Sequence, residues 1–319
     1  MLGAKRPIVC LMGPTACGKT DTAAFFFDQG RFELISVDAA QVYRGMDIGT
    51  AKPDRDFLKH YPHHLIDFRD PQDTYSAAEF CSDATALISQ IHARGNIPLL
   101  VGGTLFYFTA LMQGLSVLPE SDAEMRRELQ NELSARGNLR LHEELARIDP
   151  ELASRIHAND PQRLIRALEI YRLTGVVPSR LMARNPQSQL LCDTLKIVLF
   201  NSDRSVLHRQ ISERYMRMVN DGLFEEVASI LTTAPSLANS AAMRTVGYRQ
   251  SLDFIEGRCS KSESVKKGIA ATRQLAKRQL TWLRQQSGNV WIDTTQKDCA
   301  LTAWTLSEHW LTLKLKRSL

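Results

Sequence analysis

The first chemically informative segment of the sequence is a short loop with two glycines. Residues 13–20 read G-P-T-A-C-G-K-T and match the pattern G-x-x-x-x-G-K-[ST], after an apolar run and before a helical pattern. In such a loop, backbone N–H groups turn toward one anion, the lysine adds a mobile positive charge, and the final hydroxyl suits Mg²⁺. Thr20 is therefore the predicted Mg²⁺ ligand. The residues predicted to bind a diphosphate group are Gly13, Pro14, Thr15, Ala16, Cys17, Gly18, Lys19 and Thr20.

A second candidate for chemistry is Asp38, which directly follows the apolar run at residues 32–37. Enzymes that hydrolyse nucleotides usually carry an acidic residue at the end of a second strand, where it helps to hold the metal. The run at residues 97–101 instead ends in Gly-Gly-Thr, so Asp38 is the only acid in a comparable place. Its carboxylate could hold a metal or accept a proton, and spacing alone assigns neither an arginine finger nor a kinase signature.

The residues around these two features follow the alternation of a parallel α/β sheet. Apolar runs occupy residues 7–12, 32–37 and 97–101, and residues 20–27 have a helical pattern. Strands that alternate with helices in this way favour a parallel sheet with helices on both faces. The predicted fold class is therefore α/β: a P-loop NTPase-like parallel sheet flanked by helices, with an all-helical insertion domain.

The pattern changes after Leu118 and changes back near Leu195. Residues 119–184 contain no comparable strand and many Arg, Glu and Leu residues at helical spacing, whereas residues 195–200 form an apolar run suited to a buried strand. Three segments are therefore predicted. They are the first part of the P-loop core at residues 1–118, a helical insertion at residues 119–193, and a return to the core with C-terminal helices at residues 194–319.

The composition is typical of a folded globular protein. Of the 319 residues, 44% are hydrophobic and 24% are charged, which excludes a disordered or collagen-like chain. The six cysteines include no C-x-x-C pair, so the spacing of a zinc ribbon or a redox dithiol is absent. The first apolar run ends at Gly13 and is too short for a signal peptide or a spanning helix. We therefore expect a cytoplasmic protein without membrane attachment.

Positive charge is concentrated in one helical segment. The net charge of +5 permits a polyanionic partner, and residues 261–284 contain seven Lys or Arg against one acid. At helical spacing, Lys266, Arg273, Lys277 and Arg284 fall on one stripe. Such a stripe is either an ordinary solvated helix face or a surface for nucleic-acid phosphates, and composition alone leaves both open.

Six segments of the chain fit one known family when they are taken in order. They are residues 13–20, 38–53, 63–67, 101–104, 160–166 and 247–249. Over nearly the whole chain, this ordered set resembles the bacterial tRNA dimethylallyltransferases, the IPP transferase family. The resemblance implies transfer of a dimethylallyl group from dimethylallyl diphosphate to N6 of the adenosine 3′-adjacent to the anticodon, in tRNAs that read codons beginning with U.

The resemblance assigns roles to four residues at the expected reaction centre. Asp38 would take the proton that the exocyclic amine of adenosine must lose as it attacks. Thr104 would lie close to the reacting centre, while Lys19 and Arg214 would steady the leaving diphosphate. Mg²⁺ is the implied cofactor, and support of Mg²⁺ through water is the other interpretation of Asp38.

The resemblance also implies that tRNA binds to the loop after Asp38, to the helical insertion and to the C-terminal helices. These tRNA-binding residues are Asp38, Ala39, Ala40, Gln41, Thr104, Arg126, Gln162, Arg163, Leu164, Ile165, Arg166, Arg244, Gly247, Tyr248, Arg249, Lys277, Arg278 and Arg284. The expected partners are the anticodon stem-loop of tRNA and dimethylallyl diphosphate, and we expect the protein to be a monomer. Because the target adenosine is stacked in a loop, it must be extracted before it can react.

Two residues depart from the family pattern. Ala39 and Cys17 stand where the family usually has serine. The first change removes a hydroxyl contact to the base. Since Asp38 and Gln41 keep the proton transfer and a hydrogen bond to the adenine edge available, we expect activity to survive both changes.

Three other functions fit parts of the pattern. An adenylate dimethylallyltransferase, acting on AMP or ATP, would need neither the helical insertion nor the basic C-terminal helix. A P-loop kinase would be expected to carry an acid after the run at residues 97–101. A non-catalytic RNA-binding protein would not need Gly18, Lys19, Thr20 and Asp38, which are all intact.

Overall fold

A computed structural model describes residues 6–183, 190 and 192–316 of the chain. Its strands form one six-stranded sheet in the order β3-β2-β4-β1-β5-β6. All neighbouring strands in this sheet are parallel. The strands are β1 (Pro7–Met12), β2 (Phe32–Val37), β3 (His63–His64), β4 (Ile97–Gly102), β5 (Asp193–Phe200) and β6 (Asn289–Asp293).

Helices flank the sheet, so the predicted α/β fold class is confirmed. The first group is α1 (Lys19–Asp28), α2 (Arg55–His60), α3 (Ala77–Ala93), α4 (Leu105–Gln113), α5 (Ala123–Ile148), α6 (Pro150–Ala153), α7 (Pro161–Thr174) and α8 (Pro178–Met182). The second group is α9 (Arg204–Asn220), α10 (Leu223–Thr233), α11 (Tyr248–Ile255), α12 (Lys261–Arg284) and α13 (Cys299–Lys316). Among the described residues, no helix has the length and apolar character needed to cross a membrane.

The sheet places the ends of its central strands side by side. Every residue of β1 and of β4 is buried, as expected for parallel strands covered on both faces. The registers pair Met12 with Gly102, Gly102 with Val37, and Met12 with Val198. The loops that follow β1, β2 and β4 therefore leave the same edge of the sheet, where α/β proteins bind their ligands.

The chain divides into two compact units. The first comprises residues 1–111 and 191–319, and the second comprises residues 112–190. The second unit contains α5 to α8 and has its own apolar core, which includes Leu129, Leu141, Leu164 and Leu168. Its only described regular elements are helices, as the fold-class prediction requires.

Residues at the two ends of α7 stop the helix there. The side chain of Asp160 accepts a hydrogen bond from the backbone N–H of Arg163 at the N-terminus, and Pro161 occupies the first turn. At the C-terminus Gly175 adopts a left-handed conformation with a φ of 65°. The helix thus begins and ends at residue types that favour helix termini.

Candidate active site

The loop between β1 and α1 is shaped by close contacts that exclude larger side chains. A Cβ atom at Gly13 would lie 2.4 Å from the carbonyl oxygen of Leu199 and 2.7 Å from Cys17 Sγ. Gly18 caps α1 with a φ of 82°, and Ala16 has a φ of 64°, a conformation that costs energy for a residue with a side chain. This turn directs the N-terminus of α1 toward the edge of the sheet, which is the geometry of an anion site.

The lysine of this loop is folded back over it. Lys19 Nζ donates hydrogen bonds to the carbonyl oxygens of Gly13 at 3.1 Å and Pro14 at 2.7 Å. It also lies 3.8 Å from Cys17 Sγ. Burial raises the pKa of the Cys17 thiol although Lys19 opposes this effect, so the thiol is a neutral packing group inside the loop. The ammonium group of Lys19 is thus held where a diphosphate would bind.

Asp38 begins a tight turn immediately after β2. Its Oδ1 atom accepts hydrogen bonds from the backbone N–H groups of Ala40 at 2.8 Å and Gln41 at 3.2 Å. No hydrogen bond engages Oδ2 among the described residues. One oxygen therefore fixes the orientation of the carboxylate, and the other is available to a substrate.

Thr104 joins the end of β4 to the turn that follows β2. Its Oγ1 accepts the backbone N–H of Ala39 at 3.0 Å, and its own N–H donates to the carbonyl oxygen of Val37 at 3.2 Å. The strands come this close because Gly102 has no side chain, since a Cβ atom there would lie 2.0 Å from the oxygen of Val37. The bond to Thr104 uses only the backbone of Ala39, so the absent serine hydroxyl does not affect it.

The protein itself holds the side chain of Gln41 through its amide nitrogen. Its Nε2 donates to the carbonyl oxygens of Thr50 at 3.3 Å and Ala51 at 3.1 Å, and its backbone N–H is used by Asp38. The amide nitrogen is therefore committed to the protein rather than free for the adenine edge. Only Oε1 of this side chain is left to accept a hydrogen bond from a substrate.

Arg214 is a half-buried cation of α9 at this site. Within the described residues it makes no ion pair or side-chain hydrogen bond. Burial lowers the pKa of Arg214, and the nearby charge of Asp38 opposes that shift. Because arginine stays protonated in proteins, its guanidinium supplies positive charge that no carboxylate in the described part of the chain neutralises by direct contact. This is the property expected of a group that binds a diphosphate.

Two further polar residues shape the site and were not singled out from the sequence. Glu226 accepts hydrogen bonds from three consecutive backbone N–H groups, those of Asp47, Ile48 and Gly49, at 3.0, 2.8 and 3.1 Å. Gln279 on α12 contacts the phosphate loop itself. Neither stands out in a single sequence, because acidic and amide residues on helices are common and their partners are remote in the chain.

The C-terminal residues predicted to bind tRNA fall into two groups. Arg244, Arg249, Lys277, Arg278 and Arg284 are exposed. In contrast, the backbone of Gly247 and the side chain of Tyr248 are buried, and Tyr248 is 0% exposed. The prediction that the Tyr248 side chain contacts tRNA directly is therefore wrong. Its hydroxyl instead bonds to Glu226, which gives the residue a supporting role.

The cationic stripe of α12 is shorter than its spacing indicates. Lys266, Lys277 and Arg284 are exposed, whereas Arg273 is half-buried and donates from Nη2 to Ser212 Oγ on α9 at 2.9 Å. Arg273 therefore joins two helices, and three cations of the predicted stripe face solvent.

In the helical unit, two of the three arginines predicted to bind tRNA converge on one buried acid. Glu169 is 0% exposed, and it pairs with Arg126 at 3.2 Å and Arg166 at 2.7 Å. Burial by itself would raise the pKa of Glu169, but hydrogen bonds from Arg166 and Ser121 hold it below its usual value. The carboxylate therefore stays charged and fixes both arginines.

The remaining predicted residues of this unit lie on opposite faces of α7. Gln162 and Arg163 are exposed, and Arg163 pairs with Asp160 at 3.3 Å. Leu164 and Ile165 belong to the apolar core of the unit. Side-chain contact between these two residues and tRNA is therefore corrected: their role is to pack the helix that presents its neighbours.

Hydroxyl and carboxylate oxygens at this edge of the sheet suit a magnesium ion. Thr20 is exposed at the start of α1, and its hydroxyl makes no hydrogen bond to the described residues. Asp38 has an unengaged oxygen. Mg²⁺ is commonly bound by one or two such groups together with substrate phosphates and water. Among the described residues, no group of three His, Cys, Asp or Glu side chains could hold a metal. The donor set therefore fits an ion that enters with a diphosphate.

A phosphate loop and a turn carrying a carboxylate lie at one edge of a parallel sheet, together with an arginine that has no ion-pair partner among the described residues. This arrangement defines a P-loop α/β protein with a candidate anion site. Residues 41–286 match the family model described as IPP transferase, and the chain belongs to this family, as the resemblance predicts. A tRNA dimethylallyltransferase of Thiobacillus denitrificans is 50% identical over 292 residues, which cover 92% of this chain and 93% of that relative. One of Legionella pneumophila is 48% identical over 287 residues, covering 90% and 91%.

Solved structures give the same result. The tRNA isopentenylpyrophosphate transferase of Bacillus halodurans has a TM-score of 0.72 and 34% identity, and the match covers 98% of each chain. A eukaryotic dimethylallyltransferase acting on tRNA has a TM-score of 0.77, with 96% of this chain and 80% of that chain covered. At 24% identity, the second likeness concerns the fold alone.

Proposed function

We propose that this protein is an enzyme that transfers a dimethylallyl group from dimethylallyl diphosphate to tRNA and releases diphosphate. One observation carries this assignment beyond the names of the relatives. The phosphate loop after β1 lies beside β4, which ends at Gly102 and is followed by Gly103 and Thr104, and the acid Asp38 follows β2 instead. This arrangement suits a reaction that binds a diphosphate without transferring a phosphoryl group.

The donor would be held by its diphosphate. Backbone N–H groups of the loop, Lys19 and Arg214 would stabilise the negative charge that grows as the bond between carbon and oxygen breaks. The electron pair of that bond leaves with the diphosphate. Thr20 would hold Mg²⁺, which when bound supplies further positive charge to the leaving group.

The acceptor would be the exocyclic N6 amine of an adenosine. Its lone pair is delocalised into the ring, so the amine is a weak nucleophile and must lose a proton as the new bond from nitrogen to carbon forms. Oδ2 of Asp38 would accept this proton, while the N–H groups of Ala40 and Gln41 hold Oδ1. The carboxylate is thereby oriented before the substrate arrives.

The adenosine that we propose is the one 3′-adjacent to the anticodon in tRNAs that read codons beginning with U. The exposed cations Arg244, Arg249, Lys277, Arg278 and Arg284 would contact phosphates of the anticodon stem-loop. A tRNA substrate would place the enzyme in the cytoplasm. All the proposed catalytic groups come from one chain, so a monomer would suffice.

The test is a pair of reactions with the purified protein, dimethylallyl diphosphate and Mg²⁺. One reaction contains unmodified bulk tRNA and the other contains AMP, and the nucleosides are analysed by mass spectrometry. The expected result is prenylated adenosine from tRNA alone, and none from a Lys19→Ala control. Product from AMP alone would instead identify an adenylate dimethylallyltransferase, and ATP consumption without either product would identify a kinase.

A further inference from the structure

Gln279 is a polar residue of α12 whose side chain connects two loops of the site. Its Oε1 accepts a hydrogen bond from the backbone N–H of Thr15 at 2.9 Å. Its Nε2 donates to the carbonyl oxygen of Gly103, also at 2.9 Å. Both bonds span long distances in the sequence, and no sequence pattern pointed to them.

The two connected loops have different roles in the proposed reaction. Thr15 belongs to the phosphate loop, which would hold the donor. Gly103 precedes Thr104, whose hydroxyl holds the turn that begins at Asp38, where the acceptor would be deprotonated. One side chain therefore joins the donor side of the site to the acceptor side.

The chemistry of the connection requires an amide. Thr15 offers a donor and Gly103 offers an acceptor, so the bridging group must accept and donate at once. Glutamate would present oxygen to the oxygen of Gly103 and add a negative charge beside an anion site. Methionine would keep the length of the side chain and make neither bond.

The local packing is built around this amide. A Cβ atom at Gly103 would lie 2.6 Å from Gln279 Nε2, so the approach depends on glycine. On the same stretch of helix, Ala276 is buried against α9, and Leu280 belongs to the same apolar cluster as Ala16 of the phosphate loop. The position of Gln279 is thereby fixed relative to the loop that it bonds.

We propose that Gln279 is a positioning residue that sets the distance between the phosphate loop and the Asp38–Thr104 turn. In this way it aligns the breaking bond between carbon and oxygen of the donor with the attacking amine of the acceptor. This inference rests on the proposed prenyl transfer. A loss of this connection would slow the chemical step, because small displacements of reacting groups have large effects on rate.

The experiment compares Gln279→Met with Gln279→Glu and with Gln274→Glu, an exposed residue of the same helix that serves as the control. Single-turnover rates are measured at saturating tRNA and dimethylallyl diphosphate, together with the melting temperature and the binding of tRNA. We expect Gln279→Met and Gln279→Glu to slow the single-turnover step by about tenfold to a hundredfold while tRNA still binds. At saturating tRNA, Gln274→Glu should match the wild type in single-turnover rate.

A wild-type single-turnover rate in Gln279→Met would overturn the inference. So would a fall in melting temperature and in product amplitude with an unchanged rate per active site, because that result indicates a purely structural role. If Gln279→Glu does not fold, Gln279→Met alone decides. If the wild type forms no prenylated tRNA, the proposed function fails. Binding of inorganic diphosphate then tests whether Gln279 positions the phosphate loop. Weaker binding to Gln279→Met than to the wild type would support this role, and equal binding would overturn it.

Discussion

The hydroxyl of Tyr248 donates a 2.5 Å hydrogen bond to Oε1 of Glu226, and the tyrosine ring lies against Gly49. The carboxylate also receives the N–H groups at residues 47–49. Burial and the neighbouring carboxylate raise the pKa of Tyr248, so its hydroxyl remains a donor. The same loop supplies the carbonyl oxygens of Thr50 and Ala51 that hold Gln41. The pair of Tyr248 and Glu226 therefore stabilises the loop that holds Gln41 next to Asp38.

Removal of the Tyr248 hydroxyl should weaken this support. Tyr248→Phe is expected to lower the free energy of unfolding by about 1 to 3 kcal/mol, because a charge-assisted hydrogen bond is lost. Urea denaturation measures the change. Glu225→Gln, an exposed neighbour of Glu226, is the control and should have no effect. Equal stability of Tyr248→Phe and the wild type would contradict this account of the pair.

Replacement of the proposed base should remove catalysis and spare binding. Asp38→Asn keeps a side-chain oxygen for the N–H groups of Ala40 and Gln41 but cannot take the proton from the amine. The single-turnover rate with bound tRNA is expected to fall by about 10² to 10⁴. Binding of inorganic diphosphate, measured in parallel, should persist. A near-normal rate would assign proton transfer to another group.

Arg214, which pairs with no acid in the structure's described ranges, should contribute directly to donor binding. Arg214→Gln is expected to weaken the binding of inorganic diphosphate by about tenfold to a hundredfold, since charge-assisted hydrogen bonds contribute about 1.5 to 3 kcal/mol each. Calorimetric titration measures the affinity. Arg217→Gln changes an exposed arginine on the same helix and should bind like the wild type. Equal losses in both variants would indicate a general effect of charge on α9.

The exposed cations of α12 predict a steep dependence of tRNA binding on salt. Lys277→Ala should reduce the slope of log Kd against log salt concentration by about 0.7 to 0.9, the value for one phosphate contact. Filter binding over a range of salt concentrations measures the slope. Lys59→Ala, on α2, removes an exposed lysine outside this surface and should leave the slope unchanged. A flat salt response in the wild type would argue against the whole surface.

The carboxylate of Glu33 should make stability depend on pH in the acidic range. Hydrogen bonds from Arg94, assisted by Asn96, lower the pKa of Glu33 to about 2 from its unfolded value of 4.5. A lowered pKa means that the contribution is present above pH 4.5 and is lost as the pH falls toward 2. Solvent screening limits the contribution of Glu33 to stability to about 1 kcal/mol. Glu33→Gln should abolish this part of the pH dependence in urea denaturation, and an unchanged pH profile would contradict it.

Local sequence was sufficient for the elements that depend on neighbouring residues. Short segments predict the phosphate loop, the buried strands before and after it, and the ends of α7. This is possible because turns, caps and continuous apolar runs are local properties. The order of the family segments could also be recognised from the sequence. The class of protein could therefore be predicted without the structure.

Tertiary structure alone decided which polar groups meet. Gln279 bonds to Thr15, Arg273 bonds to Ser212, and Glu169 pairs with Arg126. None of these contacts has a spacing that a single sequence reveals. The physical reason is that a buried polar side chain must find its partner wherever the packing of helices and strands places one. The sequence therefore determined the residues that can do chemistry, and the packing determined which of them are free to do it.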